Sequence, residues 1–196
     1  IIGTNGTISG NTTSGGNNGT QTFQGGGIYH TNSLTLTNAT ITRNSVNSSG
    51  SNGTNNVKGG GIFRNAGTTA IKNTIIAGNS SNYGDQDLSG AFTTSGNNLI
   101  GSGNGSTGFI NATNGDLVGT DAAPINAQLG LLANNGGQTQ THAFNCAATS
   151  PAQNAGTSTG APTTDQRGQT RNGAVDIGSF ELQTSGECNA PTITPS

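Results

Sequence analysis

The chain has 196 residues, which is enough for one domain with a buried core. Gly, Asn, Ser and Thr account for 110 of them, only 7% are charged, and the formal net charge is −2. This composition excludes a helical bundle, because these four residue types form helices poorly, and six Lys and Arg residues argue against nucleic-acid binding. No apolar run approaches the roughly 20 residues that a membrane-spanning helix needs.

A repeat occupies the first half of the chain. Its two complete copies, at 25–45 and 59–80, both open with the motif GGGI and close with an Asn-Ser pair, and an earlier partial copy ends near Asn11. Gly27 corresponds to Gly61, 34 residues later. Repeats that each bury only a thin core against their neighbours are typical of solenoids. The sequence therefore predicts an all-β fold, a right-handed parallel β-helix (β-solenoid) with an irregular C-terminal cap.

Each copy is predicted to contain three short strands with alternating apolar and polar residues. In the first copy these are Gly27–His30, Leu34–Leu36 and Ala39–Thr42. Equivalent strands of successive copies should pair in parallel. This pairing places Ile28 beside Ile62 and Ile41 beside Ile76.

One polar position recurs in step with these strands. It is an asparagine in each copy: Asn11, Asn44 and Asn79. We expect these residues to stack at one corner, with side-chain amides bonded along the axis and the backbone in the left-handed region. The stretches 15–20 and 45–56 are rich in Gly, Asn and Ser and are predicted to be loops.

Asp85 and Asp87 form a closely spaced carboxylate pair. On a strand they would point to one face about 7 Å apart, which suits Ca²⁺ or the acid and base of an inverting glycosidase. We favour the alternative of a solvated loop beside Tyr83 and expect no cofactor, with Ca²⁺ as the open alternative. His30 and His142 are expected to be structural.

The C-terminal part concentrates the chain's few charges. Five of its 14 charged residues fall within 17 positions: Asp165, Arg167, Arg171, Asp176 and Glu181. We expect a salt-bridged network in a cap, at about 120–182, that covers one end of the β-helix. The alternative is a carbohydrate- or substrate-binding cluster. The tail 183–196 has the composition of a linker.

Cys146 and Cys188 are the only cysteines. An even count in a secreted-looking chain predicts a disulfide, which would join the cap to the start of the tail. The N-terminal residues begin as if within a β-helix coil, and no signal peptide is visible. Two explanations stay open: a processed piece of a longer chain, or an open end that supports head-to-tail self-association.

The GGGI…IxxN unit resembles the repeats of polymorphic outer membrane proteins. Further ordered blocks follow it: DLSG with SGNNLIG, GDLVGTD, LANNGGQTQTH, SPAQNAG, and TDQRG with DIGSFE. In this order they resemble the C-terminal region of bacterial right-handed parallel β-helix surface proteins of the choice-of-anchor type, over about Gly25 to Glu181. The resemblance implies an extracellular or bacterial cell-surface location.

The function predicted from the sequence is non-enzymatic. It is a secreted or cell-surface structural or adhesive module, with a self-assembling filament or sheath as one form. Two alternatives concern polysaccharides. A carbohydrate-active enzyme would need three or more charged residues on one face, and a carbohydrate-binding module would need an exposed aromatic residue in a groove. Tyr29 and Phe63, at equivalent positions of the two copies, are candidates for the second.

Overall fold

The computed structural model describes residues 1–16, 21–49, 56–145 and 148–187. Within these ranges the chain is all-β, with nineteen short strands and a single 3₁₀ turn at Ser185–Glu187. Among the described residues, no helix combines the length and the apolar character needed to span a membrane.

The strands follow one another with short connections. The first four are β1 (Ile2–Thr4), β2 (Thr7–Ser9), β3 (Thr12–Gly15) and β4 (Thr22–Gln24). The first complete repeat contains β5 (Ile28–His30), β6 (Leu34–Thr37), β7 (Thr40–Thr42) and β8 (Ser45–Ser48), and β9 (Asn56–Lys58) follows it. The second complete repeat contains β10 (Ile62–Arg64), β11 (Thr69–Lys72), β12 (Ile75–Ile76) and β13 (Ser80–Ser81). The remaining strands are β14 (Leu88–Ala91), β15 (Leu99–Ile100), β16 (Ser106–Thr107), β17 (Leu117–Val118), β18 (Leu129–Ala133) and β19 (Thr141–Phe144).

Strands at equivalent positions of successive repeats pair in parallel. The sheets are β1-β6-β11, β5-β10-β14-β16, β2-β7-β12-β15-β17, β3-β8-β13 and β4-β9, and β18-β19 is an antiparallel hairpin. The register confirms the predicted pairing of Ile28 with Ile62 and of Ile41 with Ile76. This arrangement is consistent with the predicted β-solenoid.

The spacing between paired strands shortens along the chain. In the sheet β2-β7-β12-β15-β17, here called the long sheet, Thr7 pairs with Thr40 and Thr40 with Ile75, 33 and 35 residues apart. Ile75 then pairs with Leu99 and Leu99 with Leu117, only 24 and 18 residues apart. The later repeats are therefore narrower: among the described residues β9 has no counterpart in them, and β13, the counterpart of β8, has only two residues.

The prediction of a loop at 45–56 is wrong at both ends of that stretch. β8 pairs with β3 on one side and with β13 on the other, and β9 pairs with β4. Val46 and Val57 are fully buried on these strands. Polar residues are held in a strand here because neighbouring strands satisfy the backbone groups, so the first complete repeat, with β9, has five strands rather than three.

The inner faces of the sheets form one apolar core. Its buried members are Ile28, Leu34, Leu36, Ala39, Ile41, Ile62, Ile71, Ile76, Leu88, Phe92 and Ile100. Towards the narrower repeats, the ring of Phe92 contacts that of the partly buried Phe109, with centroids 5.9 Å apart.

A second apolar core lies between the outer face of the long sheet and the C-terminal part of the chain. Ile75 and Leu99 from the sheet pack there with Phe144, Ile177 and Phe180. We name residues 127–145 and 148–182 the flank segment.

The flank segment does not form the predicted cap over one end. It runs along the side of the stacked strands: Asn5 Nδ2 donates to Thr164 O at 2.7 Å, Gly178 N to Asn73 O at 2.8 Å, and Asn97 Nδ2 to Ala155 O at 2.9 Å. The physical reason is that the outer face of the long sheet carries apolar side chains, which need a cover.

Candidate functional site

A groove lies on the outer surface beside the sheet β5-β10-β14-β16. It has a volume of about 430 Å³, within the range of small-molecule sites. Its lining residues come from β4, β9, β10, β14 and two turns: Gln24, Asn56, Lys58, Phe63, Arg64, Asp85, Ser89, Gly90 and Gly105. We name it the aromatic groove.

Two aromatic rings stand at the edge of this groove. Tyr29 and Phe63 are partners in the strand register, and their rings stack with centroids 5.6 Å apart and planes 11° from parallel. They point outward, because the preceding residues Ile28 and Ile62 are in the core, and Tyr29 is 47% exposed. Tyr29 stacks on one face of the Phe63 ring, and Phe63 also lines the groove.

Three charged side chains also line the groove. Lys58 Nζ lies 3.7 Å from Asp85 Oδ2, and the same carboxylate oxygen accepts a hydrogen bond from Ser89 Oγ at 2.9 Å. The Arg64 guanidinium donates to Gly67 O through Nε at 3.1 Å. A carbohydrate-active enzyme would need three or more charged residues on one face, and Lys58, Arg64 and Asp85 meet this number. Asp85 is nevertheless the single carboxylate among the described residues that line the groove.

Asp85 and Asp87 do not act as a pair. Both lie in the turn between β13 and β14 rather than on a strand. Asp85 faces the aromatic groove, whereas Asp87 is buried and accepts hydrogen bonds from Asn79 and from Ser102 N. Within the described part of the chain, no group of three or more His, Cys, Asp or Glu residues is arranged to hold a metal ion.

Burial raises the pKa of Asp87 to about 6, and the hydrogen bonds donated by Asn79 and Ser102 oppose this rise. The carboxylate is part of the asparagine stack. Sequence reasoning missed this role, because Asp87 follows Asn79 by only eight residues, far less than the repeat length.

The predicted asparagine stack is a continuous hydrogen-bond ladder. Asn11 Nδ2 donates to Asn44 Oδ1 at 2.9 Å, Asn44 Nδ2 to Asn79 Oδ1 at 2.9 Å, and Asn79 Nδ2 to Asp87 Oδ1 at 2.8 Å. We name these four residues the asparagine ladder. The predicted left-handed backbone is displaced by one residue: positive φ occurs at Gly10, Arg43 and Gly78, immediately before the three asparagines.

A second ladder was not predicted. Thr74 N donates to Asn98 Oδ1 at 3.0 Å, and Asn98 N and Nδ2 donate to Asp116 Oδ1, each at 2.9 Å. Like the asparagine ladder, it ends on a buried aspartate.

A row of left-handed asparagines also escaped prediction. Asn5, Asn38, Asn73 and Asn97 have φ between 47° and 57°. Their spacing, which follows the strand spacing, is the signal that could have identified them.

The five charged residues predicted in the C-terminal part are all buried or half-buried in one network of the flank segment. Arg167 Nε contacts Asp165 Oδ2 at 2.8 Å, and Arg171 Nη1 contacts Glu181 Oε2 at 2.8 Å. The pKa values of Asp176 and Glu181 are raised, mainly by burial.

The same network reaches the first strands. Arg171 Nη2 donates to Asn5 Oδ1 at 3.1 Å, and Arg167 lies 3.8 Å from the centre of the Phe180 ring. The charged residues therefore tie the flank segment to itself and to the stacked sheets.

His142 attaches the flank segment to β2. Its Nδ1 donates to Gly130 O at 2.8 Å, so the neutral ring accepts a hydrogen bond from Ser9 Oγ at Nε2, also at 2.8 Å. Burial lowers the pKa of His142, which favours this neutral form. Burial likewise lowers the pKa of His30, whose Nδ1 lies 3.2 Å from Asn32 O.

A cleft of about 360 Å³ separates the asparagine ladder from the flank segment. Its charged lining groups are already engaged: Asp87 accepts ladder hydrogen bonds, and Arg43 Nη2 lies 3.5 Å from Gly130 O. No aromatic residue is among the described residues that line this cleft, whereas Phe63 lines the aromatic groove, so the groove is the stronger candidate for a carbohydrate site.

Cys146 and Cys188 lie outside the described residues, as do residues 189–196. The predicted disulfide and the linker-like character of the tail beyond residue 187 stay predictions. Comparison with protein-family models, curated proteins and solved structures gives no match to this chain.

Proposed function

We propose that the chain is a non-enzymatic structural or adhesive module of a secreted or cell-surface protein, folded as a right-handed parallel β-helix. The parallel pairing of strands at equivalent positions of successive repeats supports the β-helix. Right-handedness rests on the general rule that parallel crossover connections have this hand in about 98% of cases. The resemblance of the repeats and C-terminal blocks to bacterial β-helix surface proteins supports the extracellular location.

The observation that carries the proposal is the pair of side-chain ladders. They bond successive repeats through buried amides in addition to the backbone hydrogen bonds of the sheets. Such a scaffold is rigid because the buried ladder amides are held by their neighbours. Rigidity with a weakly charged surface suits a protein that holds a shape outside the cell.

Head-to-tail self-association is the form of assembly we propose. β1, β2 and β3 are edge strands of their sheets in the described part of the chain. An edge strand offers backbone donors and acceptors to a further strand. A second copy stacked on this edge would extend the sheets at the usual strand separation of about 4.8 Å.

Electron microscopy and a bead assay together test the proposal. Ordered filaments of the purified chain would support the structural role. Discrete monomers, combined with retention of chain-coated beads on a polysaccharide-coated surface under flow, would support the adhesive role. Neither filaments nor retention above that of albumin-coated beads would contradict both.

A carbohydrate-active enzyme is the second candidate, because Lys58, Arg64 and Asp85 converge on the aromatic groove. Glycoside hydrolysis in most families uses two carboxylates, and Asp85 is the single one among the described lining residues. Prolonged incubation with a polysaccharide panel, followed by detection of new reducing ends and unsaturated products, tests this candidate. Product formed by the wild type but not by Asp85→Asn would favour the enzyme.

A further inference from the structure

The aromatic groove is unexplained by a purely structural role. Four of the chain's eight aromatic residues belong to the apolar cores, whereas Tyr29 and Phe63 stand together on the outer surface. Burying such rings normally stabilises a fold, so an outward pair beside a groove indicates a binding surface.

The stack of rings stops where the groove begins. Tyr29, Phe63 and Ser89 occupy consecutive positions of the strand register. Ser89 has no ring to continue the stack, and Phe63 and Ser89 both line the groove. A ligand ring placed there would take the next position of the aromatic stack.

Two glycines of the groove lining are packed closely against other lining residues. A Cβ atom at Gly90 would lie 2.6 Å from Arg64 O, and one at Gly105 would lie 2.1 Å from Asp85 Oδ1. The groove lining therefore leaves no room for a side chain at either position.

The polar groups around Phe63 suit hydroxyl groups. Asp85 offers an acceptor, Lys58 a donor, and Gln24 and Asn56 offer both. A pyranose ring combines C–H groups, which pack on an aromatic ring, with hydroxyls around its rim. We infer that the aromatic groove binds one pyranose ring of a polysaccharide against Phe63, with its hydroxyls bonded to Asp85 and Lys58.

Other ligand chemistries fit the groove less well. A wholly apolar ligand would remove water from Lys58 and Asp85 without replacing its hydrogen bonds, which is costly. A strongly anionic ligand would meet the Asp85 carboxylate, and the two cations of the groove are already engaged, Lys58 with Asp85 and Arg64 with Gly67 O. A neutral sugar can pack on the Phe63 ring and also form hydrogen bonds with Lys58 and Asp85. This inference rests on the proposed adhesive role. It names the class of ligand for that role, a polysaccharide.

Saturation-transfer NMR tests the site with three simple probes: the methyl pyranosides of glucose, galactose and mannose. We expect at least one to receive saturation at its ring protons from the wild-type chain. Glucitol, which has the hydroxyls but no ring, should bind at least tenfold more weakly than that pyranoside. Absence of transfer to all three pyranosides, or equal binding of glucitol, would overturn the inference.

Variants locate the site. Phe63→Ala should weaken binding at least tenfold, whereas Phe63→Tyr, which keeps the ring, should stay within threefold of the wild type. Tyr83→Ala is the control, because Tyr83 is an exposed aromatic residue that does not line the groove. Unchanged pyranoside binding by a folded Phe63→Ala variant would overturn the inference.

The bead assay separates this inference from the proposed function. Retention that is equal for wild type and Phe63→Ala would overturn the groove as the site and leave the adhesive role standing. Retention lost in Phe63→Ala but kept in Tyr83→Ala would support both.

Discussion

Asn44 is fully buried, and its side chain joins three neighbouring repeats. Its Oδ1 accepts from Asn11, and its Nδ2 donates to Asn79 Oδ1 and to Ile8 O at 3.0 Å. Removing the Asn44 side chain would leave several buried polar groups without hydrogen-bond partners. Each such unsatisfied group costs about 1–3 kcal/mol of stability. Asn11 belongs to the same ladder but is exposed at its outer end.

We therefore predict that Asn44→Ala lowers the free energy of unfolding by about 2–4 kcal/mol, whereas Asn11→Ala lowers it by less than about 1 kcal/mol. Urea denaturation of the two variants measures the difference. Equal losses at the two positions would show that the ladder does not act through buried hydrogen bonds.

Asp87 makes stability depend on pH. Because the native pKa is raised from 3.8 to about 6, the native state holds a proton that the unfolded state has released between these values. Stability contributed by this group therefore falls as pH rises through that window. The buried histidines act in the opposite direction, since their lowered native pKa values make protonation destabilising below about pH 6.5.

Comparison with Asp87→Asn isolates the carboxyl group. The amide keeps an oxygen for Asn79 but cannot titrate. We predict that the stability of the wild type relative to this variant falls by about 1 kcal/mol between pH 5 and pH 7.5. Denaturation at several pH values measures it, and a relative stability that is constant or rises with pH would contradict the assigned pKa shift.

The residue scale shows what the sequence could and could not predict. Equal spacing located Asn11, Asn44 and Asn79, because a ladder residue recurs in step with the strands. Asp87, which ends the ladder, could not be found in this way, because it follows Asn79 by only eight residues, less than the length of a repeat. The left-handed positions were misplaced by one residue because Arg43, unlike Gly10 and Gly78, gives no signal for positive φ.

At the scale of elements, the flank segment depends on the buried pair Arg171–Glu181. Both side chains are at most 3% exposed. Removing one partner of such a pair leaves an uncompensated buried charge, which costs about 3–5 kcal/mol.

We predict that Arg171→Met and Glu181→Met each destabilise the protein by about 3–5 kcal/mol, and that the double variant loses clearly less than the sum. Urea denaturation of the four proteins gives the coupling energy. Additive losses would mean that the two groups do not depend on each other.

The elements also explain two wrong predictions. β8 was taken for a loop because Ser and Asn usually favour turns, yet pairing on both sides overrides this preference. The sequence contained a signal that the outer face of the long sheet is covered. Ile75–Ile76, Leu99–Ile100 and Leu117–Val118 place apolar residues on both faces of their strands, which indicates burial on both sides.

For the whole molecule, the repeat predicted the parallel stacking of strands but not the path of the C-terminal part. Its contacts join residues far apart in the sequence, such as Asn5 and Thr164. No periodicity connects such residues, so a cap at one end and a segment along the side were equally compatible with the sequence. The aromatic groove was predictable only as a possibility, through the equivalent positions of Tyr29 and Phe63.

Engineered disulfide formation tests the central claim, that the C-terminal part lies along the stacked strands. Thr7 Oγ1 and Ser179 Oγ are 2.9 Å apart, so Thr7→Cys with Ser179→Cys should form an intramolecular bond on mild oxidation. Mass spectrometry of linked peptides would distinguish it from bonds of Cys146 or Cys188. The control pair, Thr7→Cys with Thr159→Cys, should stay unlinked, because Thr159 lies near Thr157, which contacts Asn73 in a later repeat. A disulfide between residues 7 and 179, with none between residues 7 and 159, would establish the arrangement. Absence of the 7–179 disulfide in the folded variant would contradict it.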